Sequence, residues 1–310
     1  MGLVCAKDAL RDALKNRYTL TAFNFFNFDM LRAILDGAEA EQSPVIVQIS
    51  MGGRAFMKSF PRLVQLVNLY CEDYSVPIVF NHDHCPTIED ARYAVDCGMK
   101  SVMFDGSHLP FAENVRLTRE ITDYAHARGA AVEAELGAIA GFEDTIFSES
   151  TVFTDPEQAK TFVEQTGCDS LAVSVGTAHG GVPSEQHLPL HLDRLRAIAE
   201  AIPEQPLVLH GAASLPQPLI DEVNRWGGNV PTLKICSEED ISKCAAFHVC
   251  KANMDVDNFL VYTAELRRLL TTKPEAYMPR KMLQSARDAV RDEVRHKLRN
   301  VVHSAGRSWL

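Results

Sequence analysis

The 310-residue chain has no Cys-x-x-Cys pair among its eight cysteines, no extended run of Lys or Arg, and no window near 18 uncharged apolar residues. Each absence excludes a class. Without paired cysteines at close spacing, zinc ribbons and thioredoxin-type chemistry drop out, and the thiols are expected to be reduced core residues. Without basic clusters, and with 31 Lys+Arg against 41 Asp+Glu for a formal charge of −10, a nucleic-acid or anionic-membrane surface lacks its main source of affinity. Without a long apolar window there is no candidate membrane helix. The start, Met1 to Asp8, lacks a basic region followed by an apolar one, and Ala6 stands where a myristoylation signal asks for Ser or Thr. A cytoplasmic protein with a small-molecule partner is expected. The composition that is present, 46% hydrophobic and 23% charged, is globular and excludes disorder as the dominant state.

Short apolar runs rich in β-branched and aromatic residues recur along the chain, each followed by a stretch of helical periodicity. They lie at 20–25, 44–50, 77–84, 101–106, 131–137, 170–176, 206–211 and 232–237. Intervening stretches such as 29–41, and 111–128 ending at Gly129, carry apolar residues at helical spacing. Nearly continuous apolar strands belong to a parallel sheet covered on both faces. Eight alternating units in about 240 residues therefore predict an α/β chain folded as a closed (β/α)8 TIM barrel. The whole chain, 1–310, reads as a single domain with a helical extension over about 238–310, broken at Lys273-Pro274. That extension reads either as a cap on the barrel or as an arm carrying Arg280 into a neighbouring subunit. The polar connection 138–154 is long enough to read as a lid or mobile segment.

In such a barrel the reactive groups sit at the C-terminal ends of the strands. Those ends carry Asn24, Ser50, Asp83-His84, Asp105, Glu135, His179, His210, and Cys236 with Glu238. His84, His179 and His210 each follow an apolar run, and three neutral imidazoles suit Zn²⁺ with a position left open for a substrate oxygen. His82 would share a face with His84 in a regular strand, unless the strand bends at its end. Asp83, beside a metal ligand, is placed to move a proton. Asp105 reads as an orienter behind the ligands, and Glu135 as an orienter or an alternate ligand. The residues alone leave metal-assisted enolisation and metal-assisted hydrolysis both open.

Several longer stretches are specific enough to carry a resemblance: 22–24, 44–50, His82-Asp83-His84, 101–110, 132–137, Gly176-Thr177-Ala178-His179-Gly180, 207–211 and Ser304-Ala305-Gly306-Arg307. In this order they resemble the class II, zinc-dependent fructose-bisphosphate and tagatose-bisphosphate aldolases, with the likeness running from about residue 10 to 307. The resemblance implies a homodimer or homotetramer, a sugar or sugar-phosphate substrate and one catalytic Zn²⁺ per chain, with a monovalent cation as a further candidate. It implies His84, His179 and His210 as zinc ligands and Glu135 as the alternate zinc position. Asp83 would handle the hydroxyl proton and Glu143, on the long connection, the carbon proton. Asn24, Ser50, Gly180 and Gly211 would line the substrate, and Arg280 would hold the far phosphate.

The sequence departs from the family pattern at two places. After His210 it reads Gly211-Ala212-Ala213-Ser214, placing a methyl at Ala213 where a phosphate-facing hydroxyl is usual. On the expectation that 232–237 is the eighth strand, Cys236 stands where an enolate-binding Asn is usual, and Glu238-Glu239 where Asp-Thr is usual. A carboxylate about 4 Å from a phosphate repels it by roughly 1 to 4 kcal/mol. These positions predict a donor end without the usual 1-phosphate. The alternatives are an ordinary fructose- or tagatose-bisphosphate aldolase and a catalytically idle metal-binding homologue.

Overall fold

The computed structural model describes residues 3–143, 146–148, 150–180, 182–183 and 189–309, with backbone alone at 142, 143, 146–148, 182, 183 and 234. Eight parallel strands close a barrel: β1 (Leu20–Asn24), β2 (Val45–Ile49), β3 (Ile78–Cys85), β4 (Ser101–Phe104), β5 (Ala131–Leu136), β6 (Ser170–Val173), β7 (Leu207–Leu209) and β8 (Val249–Asn253). Each pairs with its neighbours in chain order, and β8 returns to β1 through Leu20↔Lys251, Thr21↔Ala252 and Ala22↔Asn253.

Helices between the strands bury their apolar faces on the outside of the sheet, for example Phe28–Glu41 with Met30, Leu31, Ile34, Leu35 and Ala38. That helix starts where Asn27 Oδ1 accepts the Met30 N–H at 2.8 Å, satisfying one of the donors that a helix N-terminus leaves over. A separate apolar cluster fills the lower end of the barrel. The helix Ala6–Asn16 lays Ala6, Ala9, Leu10 and Ala13 against Leu20, Ala22, Ile46, Val79, Ala131 and Cys250. With the bottom plugged, the polar interior at Gln48, Asn81, Asp83, Glu133 and Lys251 lies toward the upper mouth.

Seven of the eight expected runs are barrel strands, and the eighth is a correction. The segment Leu233–Lys234 lies outside the barrel and pairs antiparallel with Val182–Pro183. The closing strand is Val249-Cys250-Lys251-Ala252-Asn253, a run that the sequence reading placed inside a continuous helix from Glu238. Lys251 hides the signal, because a lysine in a five-residue run looks solvent-facing. Here its ammonium is buried inside the barrel on Glu133 Oε1 and Oε2 at 3.0 and 2.8 Å. The expected tail therefore holds a π-turn, Lys297–Val301, at its end and three α-helices, Glu238–Cys244, Asp255–Thr272 and Pro279–His296, with the 3-10 turn Ala245–Phe247 and β8 between the first two. The last packs on helix Phe28–Glu41, where buried Glu41 accepts from Arg295 at 2.7 Å and from Arg299 at 3.0 and 2.7 Å.

The long polar connection holds a hairpin, Ala140–Glu143 with Ile146–Ser148, whose first strand runs beside Ala178–His179. None of the described helices is long and apolar enough to cross a membrane.

Candidate active site at the mouth of the barrel

Three histidines from different staves converge. His84 comes from the end of β3, His179 from the short strand beside the hairpin, and His210 from the residue after β7. Their ring centroids lie 4.5 Å (84 to 210), 5.3 Å (84 to 179) and 6.0 Å (179 to 210) apart. One nitrogen from each falls within 4.8 Å of the other two, and all three residues are buried.

The backbone is bent to achieve this. His84 has a left-handed φ of 41°, an uncommon state for a residue with a β-carbon that is held in place only by its surroundings. The β3–β4 register shifts between His82 and Cys85. The bend separates His82 from His84: His82 turns its ring edge to Phe60 and places Nδ1 3.2 Å from Cys85 Sγ. It stays outside the three-nitrogen group. Gly211, following His210, has φ +55°, and a Cβ there would lie 2.5 Å from the Ala178 carbonyl oxygen, so the turn admits glycine alone.

Carboxylates fix which nitrogen faces the centre in two of the three rings, His84 and His210. His84 Nδ1 lies 2.9 Å from Asp105 Oδ2, and Asp105 also accepts from Ser107 N–H at 3.0 Å and Ser107 Oγ at 2.6 Å. Burial alone would raise the Asp105 pKa, but His84 and Ser107 hold it well below the usual carboxylate range. His210 Nε2 lies 2.8 Å from Glu133 Oε1, which turns Nδ1 toward the centre, 3.0 Å from Glu135 Oε2. Burial also works to raise Glu133, yet Lys251 and His210 bring it down to about 2.

This donor set fits zinc. Tetrahedral zinc with nitrogens at about 2.0–2.1 Å needs them roughly 3.4 Å apart, which the 4.8 Å bound on the three rings accommodates. A carboxylate behind a ligating imidazole is the usual way to fix its tautomer. Glu135 forms a second compact group with His84 and Asp105, where an alternate metal position would lie.

Asp83 is buried beside this centre. It accepts from Gln48 Nε2 at 3.0 Å and Asn253 Nδ2 at 3.4 Å, with Lys251 Nζ 3.9 Å away. Asn24 is held through its Nδ2, 2.7 Å from Asp255 Oδ2. Ser50 caps the helix Met51–Met57 by accepting from Gly53 N–H at 3.2 Å. Next to His179 a cavity of about 30 Å³ is lined by Gly180, Gly211, Ala213, Ile235, Asn253, Asp255 and Val256.

The strand error carried three site residues with it. Cys236 is a core thiol packed with Ile241 and Cys244, pushed up to about 12 by burial, so it is neither a ready ligand nor a polar contact. Glu238 pairs with Lys297 at 2.5 Å and His296 at 3.0 Å, and Glu239 is an exposed side chain 2.8 Å from Lys243. Neither glutamate lines the cavity, so the expected repulsion of a donor phosphate by Glu239 is removed. The Asn-x-Asp pattern sought at 236–238 is present at Asn253-Met254-Asp255 and is followed by Val256.

Arg280 is exposed in the first turn of helix Pro279–His296 and does not line the cavity. Glu143 ends a strand of the hairpin, and its side chain lies outside the described residues. Sequence reasoning missed Gln48, Glu133, Lys251, Asn253 and Asp255. The last three sat in a run already read as helix, whereas Glu133, two residues before Glu135 on one strand face, was within reach of a period-two argument.

Comparison with known proteins agrees with this geometry. The family described as "Fructose-bisphosphate aldolase class-II" matches residues 4–307. A protein named fructose-bisphosphate aldolase from Treponema pallidum is 40% identical, over 99% of this chain and 98% of its own. One of the same name from Giardia intestinalis is 38% identical, over 96% and 93%. The crystal structure of the YdjI aldolase from Escherichia coli K12 superposes with a TM-score of 0.78 at 28% identity, covering 99% of both chains.

Proposed function

The chain belongs to the class II fructose-bisphosphate aldolase family, and from that premise we propose that it is a zinc-dependent aldehyde-lyase cleaving a ketose phosphate between C3 and C4, reversibly. The observation that carries this reading is the meeting of His84, His179 and His210 beside the buried carboxylate of Asp83.

Bound zinc supplies Lewis-acid polarisation of the ketose carbonyl and stabilises the negative charge that develops as the bond breaks. The chain's own residues do the rest. Asp83 takes the C4 hydroxyl proton in cleavage and returns it in condensation. Gln48 and Asn253 donate to Asp83 and fix its carboxylate. Lys251 lies between Glu133 and Asp83 and, with His210, holds Glu133 in its charged form against burial. Asp105 and Glu133 orient the imidazoles of His84 and His210. Glu143 is assigned the proton at the donor carbon, Asn24 and Ser50 the substrate hydroxyls, and Arg280 the aldehyde-end phosphate across the interface of a cytoplasmic homodimer or homotetramer.

The names of the relatives make fructose 1,6-bisphosphate and its tagatose epimer the reference substrates. The test is aldehyde release from a panel of ketose mono- and bisphosphates by zinc-loaded protein. Release that disappears with chelator and returns with zinc supports the reading. No release from any member, with zinc bound, would leave a metal-binding protein without this activity.

A further inference from the structure

Resting on the aldolase reading, we propose that Asn81 and Ser101 are positioning residues for the cleavage step. They act through Gln48 to hold one oxygen of Asp83 and leave the other, Oδ1, to take the C4 hydroxyl proton. The residues belong to three neighbouring staves. Gln48 on β2 lies opposite Asn81 on β3 in the strand register, and Ser101 opens β4. Asp83 stands two residues after Asn81, so the pleat sends both side chains to the inner face, where both reach Gln48. All four residues are buried.

Their contacts form one continuous series. The Ser101 hydroxyl donates to Asn81 Oδ1 at 2.7 Å, Asn81 Nδ2 donates to Gln48 Oε1 at 3.3 Å, and Gln48 Nε2 donates to Asp83 Oδ2 at 3.0 Å. The carboxylate dictates the sense of the series. Because a carboxylate only accepts, Gln48 presents its NH2 to Asp83, its carbonyl oxygen is left facing Asn81, and the Asn81 NH2 answers it. Asn81 Oδ1 then remains for the Ser101 hydroxyl. Removing that hydroxyl strands Asn81 Oδ1 in the core, and removing the Asn81 amide strands Gln48 Oε1. A stranded buried acceptor is costly, and turning the amide over to relieve it sets the Gln48 carbonyl against the Asp83 carboxylate.

The two oxygens of Asp83 are consequently unequal. Oδ2 receives Gln48 at 3.0 Å and Asn253 at 3.4 Å. Oδ1 has Asn253 at 3.4 Å and Lys251 Nζ at 3.9 Å, both longer than an ordinary N–H···O bond. The short bond to Oδ2 fixes the rotation of the carboxylate, and Oδ1 keeps a lone pair for substrate. In cleavage the C4 O–H bond breaks with its proton passing to Oδ1, the C4 carbonyl forms, and the C3–C4 electron pair leaves with the donor fragment. Condensation runs the same transfers in reverse. Neither Asn81 nor Ser101 belongs to the three-nitrogen group, and the proton at the donor carbon is assigned to Glu143. Their action is therefore confined to the hydroxyl proton.

The experiment compares the zinc-loaded parent with Asn81→Leu, Ser101→Ala, Gln48→Met and the double variant Gln48→Met, Ser101→Ala. Three readouts are taken on each: kcat and KM for the panel ketose phosphate that the parent cleaves fastest, deuterium exchange into the ketone product of that cleavage, and zinc per chain. Asn81→Leu should lower kcat tenfold or more and Ser101→Ala threefold or more, with KM, exchange and zinc content each within twofold of the parent. In the Gln48→Met background, Ser101→Ala should change kcat no further. Ser101→Ala removes a single hydroxyl and reads out even where Asn81→Leu does not fold. An unchanged kcat in Ser101→Ala, exchange or zinc falling in step with kcat, or losses that multiply in the double variant overturns the inference and leaves the aldolase reading standing. A zinc-loaded parent that releases aldehyde from no member of the panel overturns both.

Discussion

Replacing Asp83 by Asn keeps the shape of the side chain and removes its basicity. Asp83 accepts from Gln48 at 3.0 Å and from Asn253 at 3.4 Å, and Lys251 lies 3.9 Å away. An amide can keep one acceptor on Gln48, but its NH2 then faces the NH2 of Asn253 and the ammonium of Lys251. A donor opposed to donors in a buried site costs about 1–3 kcal/mol, within a stability of order 5–15 kcal/mol, so Asp83→Asn should fold. The rate loses the contribution of a positioned general base, about 10²- to 10⁴-fold, or roughly 3–5 kcal/mol of barrier. Zinc content should remain near one per chain, because Asp83 is outside the three-nitrogen group. The assay is kcat for aldehyde release alongside metal analysis, with deuterium exchange at the donor carbon as a second readout. Exchange should survive, since Asp83 is assigned the hydroxyl proton and not the carbon proton. A kcat within tenfold of the parent with zinc bound, or loss of zinc in step with activity, would refute the reasoning.

His210→Ala should abolish both zinc binding and cleavage, measured by metal analysis and aldehyde release on the same preparation. Lys251→Met leaves Glu133 buried without its cation and should cost about 3–5 kcal/mol in denaturant unfolding; a loss under 1 kcal/mol would show that the pair is not the anchor of β8. Glu239→Ala, at an exposed side chain, should change stability by no more than about 0.5 kcal/mol and leave kcat/KM unaltered for each donor. Glu41 has a lowered pKa because Arg295 and Arg299 outweigh the effect of burial. Its stabilisation is therefore complete above the unfolded carboxyl pKa near 4.3 and is lost as pH falls through the lower folded value. The stability gap between parent and Glu41→Gln should be flat above about pH 5.5 and close below about pH 4.

The barrel was legible because parallel strands covered on both faces are written as continuous apolar runs. Seven of eight were found that way, and the histidines followed from their position after those runs. The eighth was hidden by Lys251, whose partner Glu133 lies 118 residues earlier on another stave; pairing across a barrel interior leaves no local signature. Shifting the closing strand from 232–237 to Val249–Asn253 moved the candidate contacts from Cys236, Glu238 and Glu239 to Asn253, Asp255 and Val256. The methyl at Ala213, by contrast, lies in the cavity wall, while the comparisons favour the ordinary fructose-bisphosphate aldolase alternative over the expected altered donor end. The left-handed His84 that turns His82 away was equally invisible, since only the packed structure holds that backbone state.

X-ray absorption at the zinc edge of the loaded protein tests the centre most directly. The account predicts three imidazole nitrogens at about 2.0–2.1 Å with the remaining positions filled by oxygen, a pattern lost in His84→Ala, His179→Ala and His210→Ala alike. A sulfur neighbour, or an imidazole count unchanged by those substitutions, would contradict it.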